Sequence, residues 1–206
     1  MATTYTELLA EILGYTNRGD VEQVIPTWIL FAEAEFNRTL KHRKMTARKT
    51  ATLSSARLAL PSDWNDAINI EITGRTSRTR LKYRSPAEID DERDAAGGMS
   101  DEPHFYTIIG DELEVAPAPS SSATVEMLYR AKLPALATST TNWLLQEHPD
   151  LYLFGSLAQA LPWLEGDARA QSWVDKAAQI LAAVNTQDER ARYSGGPLVR
   201  RMQTFG

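Results

Sequence analysis

The sequence predicts an α+β protein with three parts: an antiparallel helical bundle, an inserted small antiparallel β-sheet region and an extended C-terminal tail. Three observations predict this fold. Apolar residues recur at three- and four-residue spacing near both ends of the chain, they alternate along its middle, and the periodicity stops after Tyr193. We assign the bundle to residues 1–46 and 142–193, the β region to 47–133 with a short helix near 86–96, and the arm to 194–206.

Two helices near the C-terminus carry the strongest pattern. Pro149 suits the first turn of a helix, because its missing N–H would be unpaired there, and His148 before it takes the cap position. A second apolar stripe runs from Trp173 to Val184. Neither helix can leave its stripe in water, so we expect the two to pack antiparallel with helices from elsewhere in the chain.

Two further helices are predicted before residue 47. Thr4 followed three residues later by Glu7 forms a capping box, and the apolar stripe after it is expected to stop at Gly14. Pro26 opens a longer helix that we expect to continue to about residue 45. This longer helix is the natural partner for the C-terminal pair.

The middle of the chain has the alternation of β-strands. Ile68, Ile70 and Ile72 alternate with polar residues, which predicts one half-buried strand. Gly110-Asp111 between two alternating runs predicts a tight hairpin turn. Ser85 and Glu88 around Pro86 form a second capping box, so a short helix interrupts the sheet.

Composition excludes several classes of protein. The 206 residues contain no cysteine, which excludes disulfides and thiolate metal sites and fits synthesis in a reducing cytoplasm. A net charge of −5 argues against a dedicated nucleic-acid-binding protein, and no uncharged stretch is long enough to cross a membrane. The three histidines lie in unrelated contexts and no nucleophile or phosphate-binding motif occurs, so we predict no enzyme, no cofactor and no metal.

Charge is concentrated in two stretches of opposite sign. Basic residues lie together without an acid between residues 38 and 49, and acids dominate residues 88 to 102. Either stretch is explained by solvation, and the basic one equally by contact with phosphates or an acidic protein. The carboxylate spacing does not match a calcium loop. The candidate subunit-interface residues are Arg38, Lys41, Arg43, Lys44, Glu88, Asp90, Asp91 and Glu92.

The C-terminal arm combines large apolar side chains with arginines and contains no acid. A solvated tail gains nothing from such apolar groups unless a surface receives them. Leu198, Val199, Met202 and Phe205 are therefore expected to anchor in a groove of another protein, with Arg200 and Arg201 making charge contacts beside them. The alternative is a tail folded back on its own core.

Six blocks of sequence together resemble the head–tail adaptor, or connector, proteins of short-tailed bacteriophages. The blocks are Tyr5-x-x-Leu8, IPTWILFAEAEFNRTLK, LALPSDW, FYTIIGDELEVAPAP, TNWLLQEHPDLYLFGSLAQA and ARYSGGPLVRR. They occur in the family's order over nearly the whole chain. The resemblance implies a structural virion protein of the neck, at the head–tail junction, and not an enzyme.

The resemblance also implies the partners. Such adaptors form a dodecamer, a ring of twelve copies, beneath the portal protein. They extend the channel through which DNA passes without specific binding, and they present a platform to tail or nozzle proteins. Their C-terminal segment enters grooves between portal subunits. In this sequence the residues assigned to portal contact are Arg192, Tyr193, Pro197, Leu198, Val199, Arg200, Arg201, Met202 and Phe205.

Two other functions stay open at this level. A metal-dependent enzyme of the packaging machinery would bind metal at the acidic stretch. A DNA-binding accessory protein would bind with a steep salt dependence through Arg38 to Lys49. In the ring interpretation, the basic and acidic stretches are the two complementary patches that neighbouring subunits need.

Overall fold

The chain divides into two compact units. The computed structural model describes residues 2–74, 78–95, 102–164 and 169–193. One unit comprises Met1–Lys44 with Leu133–Gly206, and the other comprises Met45–Lys132. In the described residues, no helix has both the length and the apolar character that crossing a bilayer requires.

Helices dominate the first unit and strands the second. Across both units the α-helices are α1 (Tyr5–Thr16), α2 (Ile25–Thr39), α3 (Pro86–Ala95), α4 (Leu136–Ser139), α5 (Trp143–Glu147), α6 (Pro149–Gln159) and α7 (Ala170–Tyr193). Of these, α3 belongs to the second unit. The strands are β1 (Thr46–Leu53), β2 (Arg57–Ala59), β3 (Trp64–Thr73), β4 (Thr79–Arg80), β5 (Lys82–Tyr83), β6 (Phe105–Ile109), β7 (Glu112–Ala116) and β8 (Ala123–Ala131).

The capping box predicted for α1 is confirmed, but its predicted end is wrong. The Thr4 hydroxyl accepts the Glu7 N–H at 3.3 Å, and the Glu7 carboxylate accepts the Thr4 N–H at 3.2 Å. The helix continues through Gly14 to Thr16 and ends where Asn17 adopts a left-handed conformation with φ of 52°. Asparagine tolerates this conformation, so the glycine is not required as the stop signal.

Helix α2 ends at Thr39, six residues before the predicted end. Leu40 is already extended, and Arg43–Met45 form a 3-10 turn. The backbone here departs from the helix because side chains of α7 take up its polar groups: Asn185 accepts the Lys41 N–H at 2.9 Å, and Asp188 accepts the Arg43 N–H at 3.1 Å. Tertiary contacts therefore override a local sequence that is compatible with a helix.

A buried polar network joins α2 to α6 and to the chain before α5. The Glu33 carboxylate accepts hydrogen bonds from the Leu136 N–H at 2.8 Å and from the Tyr152 hydroxyl at 3.2 Å. The Tyr152 hydroxyl in turn accepts a hydrogen bond from the Asn142 amide at 2.6 Å. Burial raises the pKa of Glu33 above its ordinary value and also raises that of Tyr152, because both charged forms lose their hydration.

The predicted antiparallel helical bundle is wrong. The helices of this unit range from four to twenty-four residues, and α4, α5 and α6 follow one another as short segments of four, five and eleven residues. Over its described side chains, α7 buries only Ala170, Trp173, Val184 and Asp188. Apolar stripes alone do not make a bundle, because a bundle also requires helices of matched length that bury their stripes along the whole contact.

The β region contains more sheet than the single small sheet that was predicted. It contains two four-stranded sheets, ordered β1-β8-β3-β4 and β2-β7-β6-β5. All described pairings are antiparallel except β5 with β6, which is parallel. Parallel neighbours need a crossover connection, and the segment containing α3 provides it. The protein is therefore α+β with substantial sheets instead of a bundle with a small insertion.

The core of this unit is apolar. It includes Leu53, Ile70, Ile72, Leu113, Val115, Val125, Met127 and Tyr129. Ile68 was expected to share the buried face of Ile70 and Ile72, but it is 43% exposed. The pairing of β3 with β8 shifts register between Ala67 and Asn69, and this bulge moves Ile68 out of the alternation.

Candidate functional site

The C-terminal half of α7 presents a polar face made by Asn185, Asp188 and Arg192. These residues are three and four positions apart, so they lie on one side of the helix. The same side continues the apolar stripe through Val184, which is buried. The contacts of this face hold the end of α7, from which the C-terminal arm continues.

The polar face binds the segment that follows α2. The Asn185 side chain accepts the Lys41 N–H at 2.9 Å and donates to the Thr39 carbonyl at 3.3 Å. The Arg192 guanidinium donates to the Lys41 carbonyl at 2.7 Å. Three hydrogen bonds from two turns of α7 thus fix the end of α7 against the end of α2. We call residues 39–44 with Asn185, Asp188 and Arg192 the clasp.

Asp188 is the central group of the clasp. It is 2% exposed, and its Oδ2 atom accepts the Arg43 N–H at 3.1 Å and the Arg192 Nε–H at 2.8 Å. Its Oδ1 atom lies 3.4 Å from Arg43 Nε and 3.5 Å from His42 Nε2. Burying a carboxylate costs free energy unless it is paired or hydrogen-bonded, and Arg43, Arg192 and His42 surround this one.

His42 completes the buried side of the clasp. Its Nδ1 atom accepts the Lys44 N–H at 3.2 Å, so in the neutral ring the proton resides on Nε2, which faces Asp188. The ring stacks on Trp143 with 4.6 Å between centroids. Burial lowers the pKa of His42, an effect that outweighs the opposing influence of Asp188.

A cleft of about 420 Å³ opens beside the clasp. Its lining includes His42, Lys44, His148, Gln187 and Asp188. Lys44 forms an ion pair with Glu147, which lowers the pKa of that carboxyl, and its ammonium lies 5.9 Å from the Trp143 ring. Cations and anions therefore neutralise one another within the cleft.

The pKa of His42 predicts a pH-dependent stability. A folded-state pKa below the ordinary value of 6.5 gives stability that is present above pH 6.5 and lost as the pH falls through the folded-state pKa. His42→Gln should be less stable than the parent by about 1–2 kcal/mol at pH 8, because it loses the ring stacking. The deficit should shrink between pH 7 and pH 5 in urea unfolding. A deficit that stays constant over this range would contradict the assignment.

Most of the arm residues predicted to contact the portal lie outside the described residues. Pro197, Leu198, Val199, Arg200, Arg201, Met202 and Phe205 belong to this group. Arg192 and Tyr193 lie in the last turn of α7, and the Arg192 guanidinium is engaged with Asp188 and Lys41. The Arg192 guanidinium therefore helps to fix the end of α7, from which the arm continues.

The four candidate interface residues of the basic stretch, Arg38, Lys41, Arg43 and Lys44, belong to the first unit, and two of them are engaged in ion pairs. Arg43 contacts Asp188, and Lys44 pairs with Glu147. The side chains of Arg38 and Lys41 are exposed, with no ion pair to any described residue.

The residues of the acidic patch lie in and beside α3 of the second unit. Glu88 closes the capping box with Ser85 at 2.8 Å, and Asp90 pairs with Arg93 at 3.1 Å. Asp91 is exposed and Glu92 is half-exposed. Within the described ranges, no group of three or more His, Asp or Glu side chains has the arrangement of a metal site.

Sequence reasoning missed Asn185, Asp188 and Glu147. One signal was available for the first two: Val184, Asp188 and Arg192 recur at four-residue spacing, so the inward side of α7 passes from apolar to charged. Such a change predicts that the helix end faces polar backbone instead of a core. No comparable pattern identifies Glu147, whose partner Lys44 is 103 residues away in the chain.

Comparison with known sequences identifies the family. The sequence profile described as "SU10 adaptor protein" matches residues 3–201, which is nearly the whole chain and includes both units. No curated protein shows significant similarity to the chain. The profile covers the clasp and the first eight residues after α7. The chain therefore belongs to the SU10 adaptor protein family, a family of structural adaptor proteins of bacteriophages and not of enzymes.

Proposed function

We propose that this phage adaptor forms a ring between portal and tail, extends the DNA channel, and binds the portal through its C-terminal arm. The observation that supports the proposal best is the extent of the family match. The match continues past the end of α7 to Arg201, so the family shares the first part of the arm as well as the two units.

The chemistry of the arm supports a protein partner. Leu198, Val199, Met202 and Phe205 supply apolar anchors, and the arginines suit a groove with acidic edges. The clasp supports the same role, because hydrogen bonds from Asn185 and Arg192 hold the end of α7 from which the arm departs. A fixed base lowers the conformational entropy lost when the arm enters a groove.

Removal of the arm tests the proposal. A variant ending at Tyr193 should retain the far-ultraviolet circular dichroism of the parent, since α7 and the clasp precede the deletion. Its affinity for the portal protein of the same phage should fall at least a hundredfold, because each buried apolar anchor contributes about 2 kcal/mol. Co-sedimentation with portal measures this. Undiminished binding by the folded, truncated protein would exclude the arm as the portal ligand.

Two full-length variants refine that test. Arg200→Glu with Arg201→Glu reverses charge within the arm, and should weaken portal binding with a marked salt dependence. Lys176→Glu on the exposed side of α7 is the matched control and should bind like the parent.

For the contact between ring neighbours, we propose the exposed members of the two charge patches. Arg38 and Lys41 form one side, and Asp91 and Glu92 the other. A ring of identical subunits requires two unlike, complementary surfaces on each copy. Arg38→Glu with Lys41→Glu should reduce the fraction of rings seen by native mass spectrometry at least tenfold, whereas Lys176→Glu should not. Equal ring yields from both variants would exclude these residues.

A further inference from the structure

An apolar groove lies between α1 and the start of α2. Its volume is about 370 Å³, and its lining includes Leu9, Ala10, Leu13, Ile25 and Pro26. The apolar stripe of α1 is wider than the fold buries: Leu8 and Ile12 are fully buried, while Leu9 and Leu13 stay half-exposed. The described residues thus leave two leucines of α1 facing this groove.

The apolar surface continues along α2. Leu30 lies one turn after Pro26 on the same side of the helix and is 57% exposed, and the neighbouring Phe31 is 43% exposed. A large apolar side chain exposed singly needs no explanation, but several beside a groove mark an interaction site.

The rim of the groove is acidic. Glu22 lines it, and a shallow depression that shares Ala10 with the groove contains Glu7 and Glu11. Residues 2–27 contain four acids, with Asp20 as the fourth, against the single base Arg18. An apolar groove with an acidic rim selects a segment that carries apolar side chains and positive charge.

The arm, residues 194–206, has that chemistry. These thirteen residues hold two arginines, Arg200 and Arg201, no acid and four large apolar residues. Charge and hydrophobicity therefore match the arm to the groove.

The reach of the arm also matches. The clasp fixes the end of α7 beside the end of α2, with 2.7 Å between Arg192 Nη2 and the Lys41 carbonyl. Thirteen helical steps along α2 separate Pro26 from Thr39 by ~20 Å, at ~1.5 Å per residue. Met202 lies nine residues past Tyr193, and extended chain reaches ~30 Å over that number. The length of chain after Tyr193 thus allows Met202 and Phe205 to reach the groove.

We infer that before it meets another protein the arm, residues 194–206, docks in the groove between α1 and α2 of its own chain, against the acidic rim. This goes beyond the proposed function and does not depend on it. If the arm also binds portal, the same apolar side chains serve both sites. Docking then withholds the arm, and portal binding must displace it from the groove.

Disulfide trapping in the full-length protein tests the inference. The chain has no cysteine, so Ala10→Cys with Met202→Cys creates a single possible pair. Ala182→Cys with Met202→Cys is the control: Ala182 is exposed on α7, ~17 Å from Tyr193 by helical rise and so nearer to the base of the arm. An arm without a docking site would therefore meet position 182 at least as often as position 10.

In a glutathione redox buffer, the pair at positions 10 and 202 should form an intramolecular disulfide at least ten times faster than the control pair. Non-reducing electrophoresis distinguishes this product from dimers. Equal rates, a faster control, or mainly dimeric product from the first pair would overturn docking within one chain.

Charge reversal gives a second readout. Glu22→Lys should slow trapping of the first pair at least threefold, whereas Glu112→Lys, at an exposed position in the second unit, should leave the rate unchanged. Failure of trapping together with loss of portal binding on truncation rejects this inference and keeps the proposed function. Successful trapping together with unchanged portal binding after truncation supports this inference and rejects the arm as the portal ligand.

Discussion

Asp188→Ala is expected to lower the free energy of unfolding by about 3 kcal/mol. The substitution removes two charge-assisted hydrogen bonds, each contributing about 1.5–3 kcal/mol, and leaves the Arg43 N–H without its acceptor. It also removes the carboxylate that faces His42. Urea unfolding followed by tryptophan fluorescence measures the loss, since Trp143 stacks on His42 within the same cluster.

Glu189→Ala is the matched control for this prediction. Glu189 is the next residue of α7, carries the same charge and is exposed. Its replacement should change the free energy of unfolding by less than about 0.5 kcal/mol, as is usual at exposed positions. Similar losses for the two variants would show that Asp188 does not hold the clasp.

Gly155→Ala is expected to destabilise the protein by about 2 kcal/mol, although alanine is the better helix former. Gly155 lies inside α6, and a Cβ atom there would lie 2.6 Å from Phe36 Cζ and 3.0 Å from Phe36 Cε1. Phe36 is buried and packs edge-on against Tyr152 at 5.3 Å between centroids, so its ring must shift out of this packing to admit the Cβ atom. Overpacking of this kind costs about 1–3 kcal/mol.

Gly14→Ala, in contrast to Gly155→Ala, is expected to stabilise the protein. A Cβ atom at Gly14 in α1 would meet nothing within 4 Å. The helix propensity of alanine should then stabilise the protein by about 0.5–1 kcal/mol.

A double-mutant cycle checks the Gly155 prediction: Phe36→Leu should reduce the free-energy cost of Gly155→Ala. Stabilisation by Gly155→Ala in thermal unfolding would contradict the close contact between α2 and α6.

Local signals in the sequence predicted most individual elements. The capping boxes at Thr4 and Ser85 have the predicted hydrogen bonds, and Gly110-Asp111 forms the turn between β6 and β7. His148 and Pro149 begin α6 as expected. These predictions succeed because each depends on groups within a few residues of one another, which the sequence brings together whatever the rest of the chain does.

Predictions that depended on distant contacts fared worse. The end of α2 was misplaced because Asn185 and Asp188, about 145 residues away, take up the backbone groups of Lys41 and Arg43. The bundle was wrong because apolar stripes indicate which sides of helices are buried and not which partners bury them. The sequence does not reveal that Lys44 pairs with Glu147 and Arg43 with Asp188, because these partners are 103 and 145 residues apart.

The sequence by itself determined the α+β class and the local starts and stops of several elements, and it predicts an arm whose apolar and basic residues need a receiving surface. Only the tertiary structure decided that the β region forms two sheets and that α7 binds the segment after α2. It also decided that Leu9 and Leu13 of α1 stay half-exposed in the groove. The physical reason is range. Backbone propensity and capping act over a few residues, whereas burial and ion pairing depend on which distant segments the fold brings together.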